Sequence, residues 1–357
     1  LLPAPLHNTP AFLRARFLEF ADKDAIARAM LRLIGGLPED TAENFLLWLQ
    51  RHGQTERAIE RFWKPVLVSA LNEDLDRMSV RYAAQVFRES FLKSASAGAM
   101  GVPRVPLTEL YSAAGDYIRA RSGEVLLRRA VDSVAPAERG VVLRTGGEQL
   151  EFDSVILAVP FDQLSKMLPS ASGELPAMLT RLEHSPITGI HLWFDRPVTD
   201  LPHAVLLERT IQWMFNKTIL QERDAEGNKS YLELVVSSSK SLVARSRQEI
   251  IDLAVGELAE FFPAAREAKL EKATVIKEIH ATYSAQPLSD RYRPASKTAW
   301  PGIFLAGDWT ATGWPATMEG AVRSGYMAAE ALAHAAGIEG SALVPDLKAS
   351  GLMRWFG

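Results

Sequence analysis

The sequence predicts a mixed α/β protein with α+β character, in which helices precede strand-rich segments. Residues 1 to about 100 place apolar side chains at helical spacing, whereas residues 125–283 hold short β-branched runs between turn signals. A short apolar strand at residues 303–306 precedes a helix of small residues at 319–336. A length of 357 residues suits two domains, or one large interrupted domain.

The composition excludes several classes of protein. Hydrophobic residues make up 47% and charged residues 23%, which is the balance of a globular chain and not of a disordered or collagen-like one. A formal net charge of −3 gives no basic field for a nucleic acid, so we expect no nucleic-acid partner. The absence of cysteine excludes disulfides and cysteine nucleophiles and is compatible with a cytoplasmic location. The sequence does not set the oligomeric state.

The N-terminal third predicts four helical segments. They are expected over residues 12–33, over 45–51, from Thr55 to an interruption at Lys64-Pro65, and over 82–93. Five aromatic residues are spread among them, and we expect these to lie in the core or to line an apolar substrate pocket. They are Trp48, Phe62, Trp63, Phe87 and Phe91.

The middle of the chain predicts strands, two helices and two turns. The predicted strands are residues 125–127, 131–134, 141–143, 155–159, 189–194, 204–207, 211–215, 231–236 and 274–283. Helices are expected over residues 108–121 and after a capping box that runs from Ser246 to Glu249. The predicted turns are residues 145–148, which would close a hairpin, and 224–228.

Several well-known catalytic motifs are absent from the sequence. No two glycines are separated by one residue, which excludes a Gly-x-Gly-x-x-Gly loop, and no Gly-x-Ser-x-Gly nucleophile elbow occurs. The seven histidines form neither His-x-His nor His-x-x-x-His, so no metal site is predicted.

The most informative stretch is the strand, loop and helix that begins at residue 303. Gly307 ends the strand at a point where the backbone can approach a ligand. Asp308 follows at the carboxyl end of the strand, where a carboxylate suits polyol hydroxyls. The next helix begins near Thr317 and Met318, and its free N–H groups favour a carbonyl oxygen or an anion. The alternative to a ligand site is a tightly packed helix after a turn, with Asp308 serving only as a capping residue.

This stretch resembles the C-terminal FAD signature of the flavin amine oxidase and phytoene desaturase superfamily. The resemblance implies that Asp308 binds the ribityl chain of FAD, and that the Thr317–Met318 backbone faces the flavin ring near a carbonyl. Residues 124–134 resemble the segment whose backbone, at Val131, meets the adenine. Because the chain has no cysteine, a cysteine-linked flavin is excluded and we expect FAD to be held noncovalently.

A narrower resemblance is carried by Trp48-Leu49, Phe62-Trp63-Lys64-Pro65, Ser185-Pro186-Ile187 and the run from His191 to Pro197. These stretches are similar to the squalene-associated branch of that superfamily, the hydroxysqualene dehydroxylases of bacterial hopanoid biosynthesis. The family pattern opens with a strand and a glycine-rich loop that hold the pyrophosphate of FAD. The first residues of this chain match the middle of the pattern, so we expect those elements to lie upstream of Leu1.

The resemblance implies a Rossmann-like FAD domain of the amine oxidase (GR2) type, incomplete at its N-terminus and interlaced with a substrate domain of helices and a sheet. Residues 106–168 and 299–340 would belong to the FAD domain. Residues 1–105, mainly helical, and 169–298, with an antiparallel sheet, would form the substrate domain. Residues 341–357 would form a tail that either touches a membrane surface peripherally, at the inner membrane, or docks on its own domain.

Three functions follow from these observations. The resemblance implies an FAD-dependent oxidoreductase acting on a C30 isoprenoid, by reductive dehydroxylation of hydroxysqualene to squalene. An oxidative desaturase of carotenoid or squalene type, or another amine oxidase-like enzyme, would use the same residues with the hydride running the other way. A flavin-free protein that binds isoprenoids is the third alternative. In each case we expect a long apolar isoprenoid as the partner.

The catalytic residues are not identified by the sequence. Loss of a hydroxyl group requires a proton donor near the flavin. The candidates by position are His280, Tyr283, Glu183 and His184.

Overall fold

A computed structural model describes residues 2–168, 174–222 and 229–356 of the chain. Its helices are α1 (Thr9–Arg14), α2 (Phe20–Ile34), α3 (Phe45–Arg51), α4 (Glu56–Ala58), α5 (Lys64–Leu71), α6 (Val80–Phe87), α7 (Leu107–Arg119), α8 (Phe161–Met167), α9 (Leu175–Leu179), α10 (Lys217–Leu220), α11 (Lys240–Val243), α12 (Arg247–Phe261) and α13 (Met318–Ala335). Its strands are β1 (Ser133–Pro136), β2 (Val141–Thr145), β3 (Glu148–Phe152), β4 (Val155–Leu157), β5 (His184–Phe194), β6 (His203–Val205), β7 (Trp213–Asn216), β8 (Ser230–Ser237), β9 (Leu270–Tyr283) and β10 (Ile303–Leu305). The mixed α/β class is confirmed.

Two details of the N-terminal helices differ from the prediction. The single helix expected over residues 12–33 is divided into α1 and α2, because Glu19 and Asp22 form a reciprocal capping box that starts a new helix. The expected interruption at Pro65 is also wrong. The chain passes from α4 through a π-helical turn at Ile59–Trp63 into α5, whose first turn contains Pro65. Pro65 has no N–H to donate, and it follows closely on the π-helical turn, where the regular α-helical hydrogen bonding is already interrupted.

The strands form three sheets within the described residues. Strands β1, β2 and β3 form an antiparallel sheet, and the pair of Thr145 with Glu148 confirms the predicted hairpin. Strands β4 and β10 pair in parallel. The largest sheet is antiparallel in the order β6-β7-β8-β5-β9. The strand predicted over residues 125–127 is wrong: Leu127 is 83% exposed there, so no packing favours an extended pair. The turn predicted over residues 224–228 lies outside the described residues.

Buried side chains form two hydrophobic clusters. One lies between the five-stranded sheet and α12, which begins at the predicted capping box of Ser246 and Glu249. The other joins the N-terminal helices to β4, β10 and α8 in one continuous core. Three of the five aromatic residues considered above are buried in that second cluster, which confirms their place in the core: Trp48, Trp63 and Phe87. The proposed domain boundaries stay a prediction.

The C-terminal tail docks on the helical part of the chain. The N–H of Ser350 donates to the carbonyl of Lys93 (2.9 Å), and the N–H of Leu352 donates to that of Ala4 (2.8 Å). Met353 is buried in the core, whereas Trp355 is 84% exposed. Among the described helices, none has the length and apolar character needed to cross a membrane.

Candidate functional site

The loops that follow β4 and β10 lie side by side. The two strands pair in parallel from Ile303 with Val155 to Leu305 with Leu157, so their carboxyl ends meet at one edge. The indole Nε1–H of Trp309, in the loop after β10, donates to the carbonyl oxygen of Val159 after β4 (3.0 Å). Crevices at the carboxyl ends of parallel strands are where open α/β sheets bind ligands.

Gly307 occupies a position that a larger residue does not fit. Its φ is +143°, and a Cβ placed there would lie 2.3 Å from Nε1 of Trp309. Its N–H donates to Oγ of Ser324 (2.7 Å), which in turn donates to the carbonyl of Ala321 (2.6 Å). These bonds tie the end of β10 to the first turns of α13.

Helix α13 begins as the sequence predicts. Thr317 is its N-cap, and its hydroxyl oxygen accepts the N–H of Gly320 (3.1 Å). A Cβ on Gly320 would lie 2.5 Å from the carbonyl oxygen of Pro315, so the loop approaches the helix closely. Met318, the first helical residue, is 63% exposed. The first N–H groups of a helix have no intrahelical acceptors and carry the positive end of its dipole, so they favour a carbonyl oxygen or an anion.

The loop between β10 and α13 is held by Arg293, which the sequence reasoning missed. The Arg293 side chain is fully buried, and its Nη2 donates to the carbonyls of Asp308 (2.9 Å), Thr310 (2.5 Å) and Trp314 (2.7 Å) and to Oγ1 of Thr312 (3.1 Å). The available signal was a charged residue before a proline, shortly upstream of an apolar strand.

The other end of the same guanidinium group is held by a small polar cluster. Nη1 of Arg293 donates to Oδ1 of Asp290 (2.9 Å) and to the hydroxyl oxygen of Tyr82. The hydroxyl of Tyr82 in turn donates to Asp290. Because six acceptors surround this one buried cation, its charge is compensated by hydrogen bonds and not left isolated.

Burial changes the pKa values of two side chains near Arg293, Tyr283 and Asp308. Burial raises the pKa of the Tyr283 phenol above its ordinary value, so this side chain keeps its proton at neutral pH. The guanidinium of Arg293 lies 4.9 Å from the Tyr283 ring. Burial also raises the pKa of the Asp308 carboxyl, while the positive charge of Arg293 opposes that effect. The hydroxyl of Tyr283 is buried close to that of Tyr82.

The structure separates the four candidate proton donors. Tyr283 faces the Arg293 cluster. Glu183 is exposed, and its Oε2 accepts a hydrogen bond from Arg77 (2.5 Å). His184 and His280 stack on each other, with ring centroids 4.2 Å apart, in a different cluster.

The positions expected to bind FAD fall at two places. Gly307, Asp308, Thr317 and Met318 all lie at the junction of β10 with α13, where a carboxylate, a close backbone and a helix N-terminus suit the ribityl chain and the flavin ring. Val131 is half-buried against the core just before β1. The contacts of all five residues with FAD stay predictions.

Comparison with known protein families identifies a flavin-dependent class of protein. The family described as flavin containing amine oxidoreductase matches residues 1–333, and the chain belongs to this family. Its cofactor is therefore FAD, and it is an FAD-dependent oxidoreductase.

Curated relatives are similar at low identity. A 15-cis-phytoene desaturase of Synechococcus elongatus is 29% identical over 93% of this chain and 74% of its own length. The corresponding protein of Arabidopsis thaliana is 28% identical over 93% of this chain and 62% of its own length. A probable zeta-carotene desaturase of Synechococcus elongatus is 25% identical over 94% of this chain and 78% of its own length. The chain thus spans about three fifths of the plant relative.

Solved structures share the fold at lower identity. An oxidoreductase from Methanosarcina mazei is 16% identical, with a TM-score of 0.68 over 89% of this chain and 73% of that one. A putrescine oxidase variant is 16% identical, with a TM-score of 0.66 over 90% of this chain and 76% of that one. At this identity the likeness concerns the fold alone.

Replacing Gly307 by alanine tests the close approach at the end of β10. We expect the Gly307→Ala variant to retain less FAD and to unfold more easily, by about 1–3 kcal/mol, because its φ is strained and its Cβ overlaps Trp309. Flavin absorbance after gel filtration and urea unfolding measure the two effects. Gly325→Ala is the matched control: its Cβ meets nothing within 4 Å in the same helix region, so flavin retention should be unchanged. Equal behaviour of the two variants would contradict the assignment.

Replacing Arg293 tests the support of the loop. We expect Arg293→Ala to lower the free energy of unfolding by about 3–5 kcal/mol and to abolish flavin retention, because several buried acceptors lose their donor. Arg293→Lys should recover only part of the loss, since one ammonium group cannot replace two guanidinium nitrogens. Exposed Arg291→Ala serves as the control and should stay within about 0.5 kcal/mol of the wild type. A stable, flavin-loaded Arg293→Ala variant would disprove the role of this side chain.

Proposed function

We propose that this protein exchanges a hydride between FAD and an allylic carbon of a long, apolar isoprenoid. The observation that carries the proposal is that relatives named phytoene and zeta-carotene desaturases match 93–94% of the chain. The amine oxidases among the solved structures share only the fold, at about 16% identity. A polyene or isoprenoid chain is therefore better supported as the substrate class than an amine.

The residues of the chain bind and orient, while FAD, when bound, supplies the hydride donor or acceptor. Asp308 would accept hydrogen bonds from ribityl hydroxyls, and Gly307 would let the backbone come close to the cofactor. The N-terminus of α13 is available to an electron-rich carbonyl of the ring. The Arg293 network keeps these groups in fixed positions, which lowers the cost of ordering them at the moment of reaction.

The particular reaction we propose is reductive dehydroxylation of hydroxysqualene to squalene. Its support is the resemblance of the Ser185-Pro186-Ile187 stretch and of the run from His191 to Pro197 to the squalene-associated branch. Removal of a hydroxyl requires a proton or a hydrogen-bond donor at the leaving oxygen. Among the four candidates we favour Tyr283, because its buried hydroxyl keeps its proton at neutral pH and its ring lies 4.9 Å from the guanidinium of Arg293, which supports the Asp308 loop.

Oxidative desaturation of a carotenoid-type polyene is the second candidate. The names of the three curated relatives favour it. Desaturation removes a hydride and a proton from the substrate, so the same group would act as a proton acceptor or would only hold the substrate. The flavin-free alternative is not retained, because the family is one of flavin enzymes.

A product assay with the FAD-loaded protein decides between the two directions. With chemically reduced FAD and hydroxysqualene under anaerobic conditions, we expect squalene. With phytoene and a quinone acceptor, we expect no new double bonds. The reverse pattern would replace dehydroxylation by desaturation, and turnover of putrescine alone would overturn the isoprenoid proposal.

The Asp308→Ala variant connects this activity to the site. We expect it to weaken FAD binding roughly tenfold, because one or two hydrogen bonds to the cofactor are lost. Asp308→Asn should lose less. Asp200→Ala removes an exposed carboxylate outside the site and is the matched control, with unchanged affinity for FAD.

We also propose peripheral contact of the tail with a membrane surface, where a substrate of this kind dissolves. Trp355 and Phe356 are 84% and 53% exposed and lie beside exposed Arg354, a combination that suits a lipid interface. Trp355→Ala should at least halve the fraction of protein that floats with anionic liposomes, and Phe152→Ala, an exposed aromatic residue elsewhere, should leave it unchanged. Equal flotation of the two variants would exclude this contact.

A further inference from the structure

Three side chains from distant segments converge beside the loop that follows β4. Asp162 is the second residue of α8, His184 is the first residue of β5, and His280 lies in β9, which pairs with β5. The imidazole rings of His184 and His280 stack at 4.2 Å with an interplanar angle of 4°. The carboxylate of Asp162 faces the edges of both rings. The spacing of histidines along the sequence could not reveal this cluster, because only the pairing of two strands brings the rings together.

The distances within this cluster match those of metal ligands. Nε2 of His184 lies 3.2 Å from Oδ1 of Asp162, and Nδ1 of His280 lies 3.6 Å from Oδ2. One ligating atom from each of the three residues lies within 4.8 Å of the other two. Two ligands that are each roughly 2.1 Å from a tetrahedral ion are about 3.4 Å apart. The observed separations lie on both sides of that value.

The atoms that face one another are not satisfied by hydrogen bonds. Oδ1 of Asp162 and both ring nitrogens of His184 are buried and have no partner of hydrogen-bond geometry within the described ranges. Buried polar atoms in folded proteins almost always have a partner. Nε2 of His184 and Oδ1 of Asp162 are 3.2 Å apart and form an ion pair when the imidazole is protonated. With a neutral imidazole, a metal ion bound between them would be a partner for both atoms.

We propose that Asp162, His184 and His280 bind a divalent transition-metal ion of the Zn²⁺ type. Two imidazole nitrogens and one carboxylate oxygen suit zinc and its neighbours better than Mg²⁺ or Ca²⁺, which prefer oxygen ligands. The His280 side chain is 57% exposed, which provides a path of entry and leaves a coordination position for water. This inference concerns residues outside the flavin site and does not depend on the proposed substrate.

The ion would connect two parts of the fold. Asp162 belongs to the helix that follows parallel strand β4, whereas both histidines belong to the five-stranded sheet. Phe161 stacks on His184 with centroids 4.1 Å apart and contacts Trp309 edge-on at 6.5 Å. Trp309 lies in the loop that carries Asp308, so a bound ion would stabilise the arrangement of the sheet next to the flavin-binding loop.

The test is Zn²⁺ binding to the FAD-loaded protein after treatment with a chelator. We expect one Zn²⁺ per chain by calorimetric titration and elemental analysis, a rise of roughly 5 °C in the unfolding midpoint with excess Zn²⁺, and no effect of Mg²⁺. X-ray absorption at the zinc edge should show imidazole and oxygen ligands at about 2.0–2.1 Å.

Variants separate a metal site from a mere contact between histidines and a carboxylate. His280→Ala should weaken Zn²⁺ binding at least roughly tenfold without unfolding the protein, because the side chain is largely exposed. Asp162→Asn should do the same. His203→Ala removes an exposed histidine outside the cluster and should bind Zn²⁺ like the wild type. Failure of the wild type to bind Zn²⁺, or equal binding by the wild type and His280→Ala, would overturn the proposal whatever the substrate of the enzyme.

Discussion

The guanidinium group of Arg293 lies under the loop that joins β10 to α13, and the conformation of that loop depends on it. A loop of this kind cannot satisfy its carbonyl groups by helix or sheet bonds, and buried carbonyls without donors are costly. One planar cation with several N–H groups provides the missing donors to the backbone of Asp308, Thr310 and Trp314. The cation in turn requires acceptors, so the loop and the arginine stabilise each other. The position of Asp308 follows from this arrangement.

The other elements of the site are held around that loop by strand pairing and hydrogen bonds of their own. The parallel pairing of β4 with β10 sets the edge at which the loop emerges, and Trp309 connects the two strand ends through the carbonyl of Val159. Ser324 connects the other side of the loop to α13. Strand β9 delivers Tyr283 to the arginine from the opposite sheet. These contacts come from separate segments and add to the support that Arg293 gives the loop.

Much of the C-terminal part of the site could be predicted from the sequence, because the information there is local. Gly307, Asp308 and the cap at Thr317 occupy adjacent positions in one strand, loop and helix, and each residue type carries a conformational or chemical preference that can be read alone. The secondary-structure predictions were wrong where the tertiary surroundings, which the sequence does not show, overrode the local preference of the residues. The apolar residues 125–127 have high β propensity but no strand to pair with. Pro65 follows a π-helical turn, so the helical segment continues through it.

The sequence by itself determined the class of the fold, the β10 to α13 unit and the carboxylate at its centre, since these depend on periodicity, capping and turn residues within short windows. Only the tertiary structure decided which polar groups meet. It placed Arg293 beneath the loop, separated Tyr283 from Glu183, and brought Asp162 to two histidines on neighbouring strands. The physical reason is that strand register and the burial of charge are set by contacts between distant segments. Such contacts form only when the whole core packs.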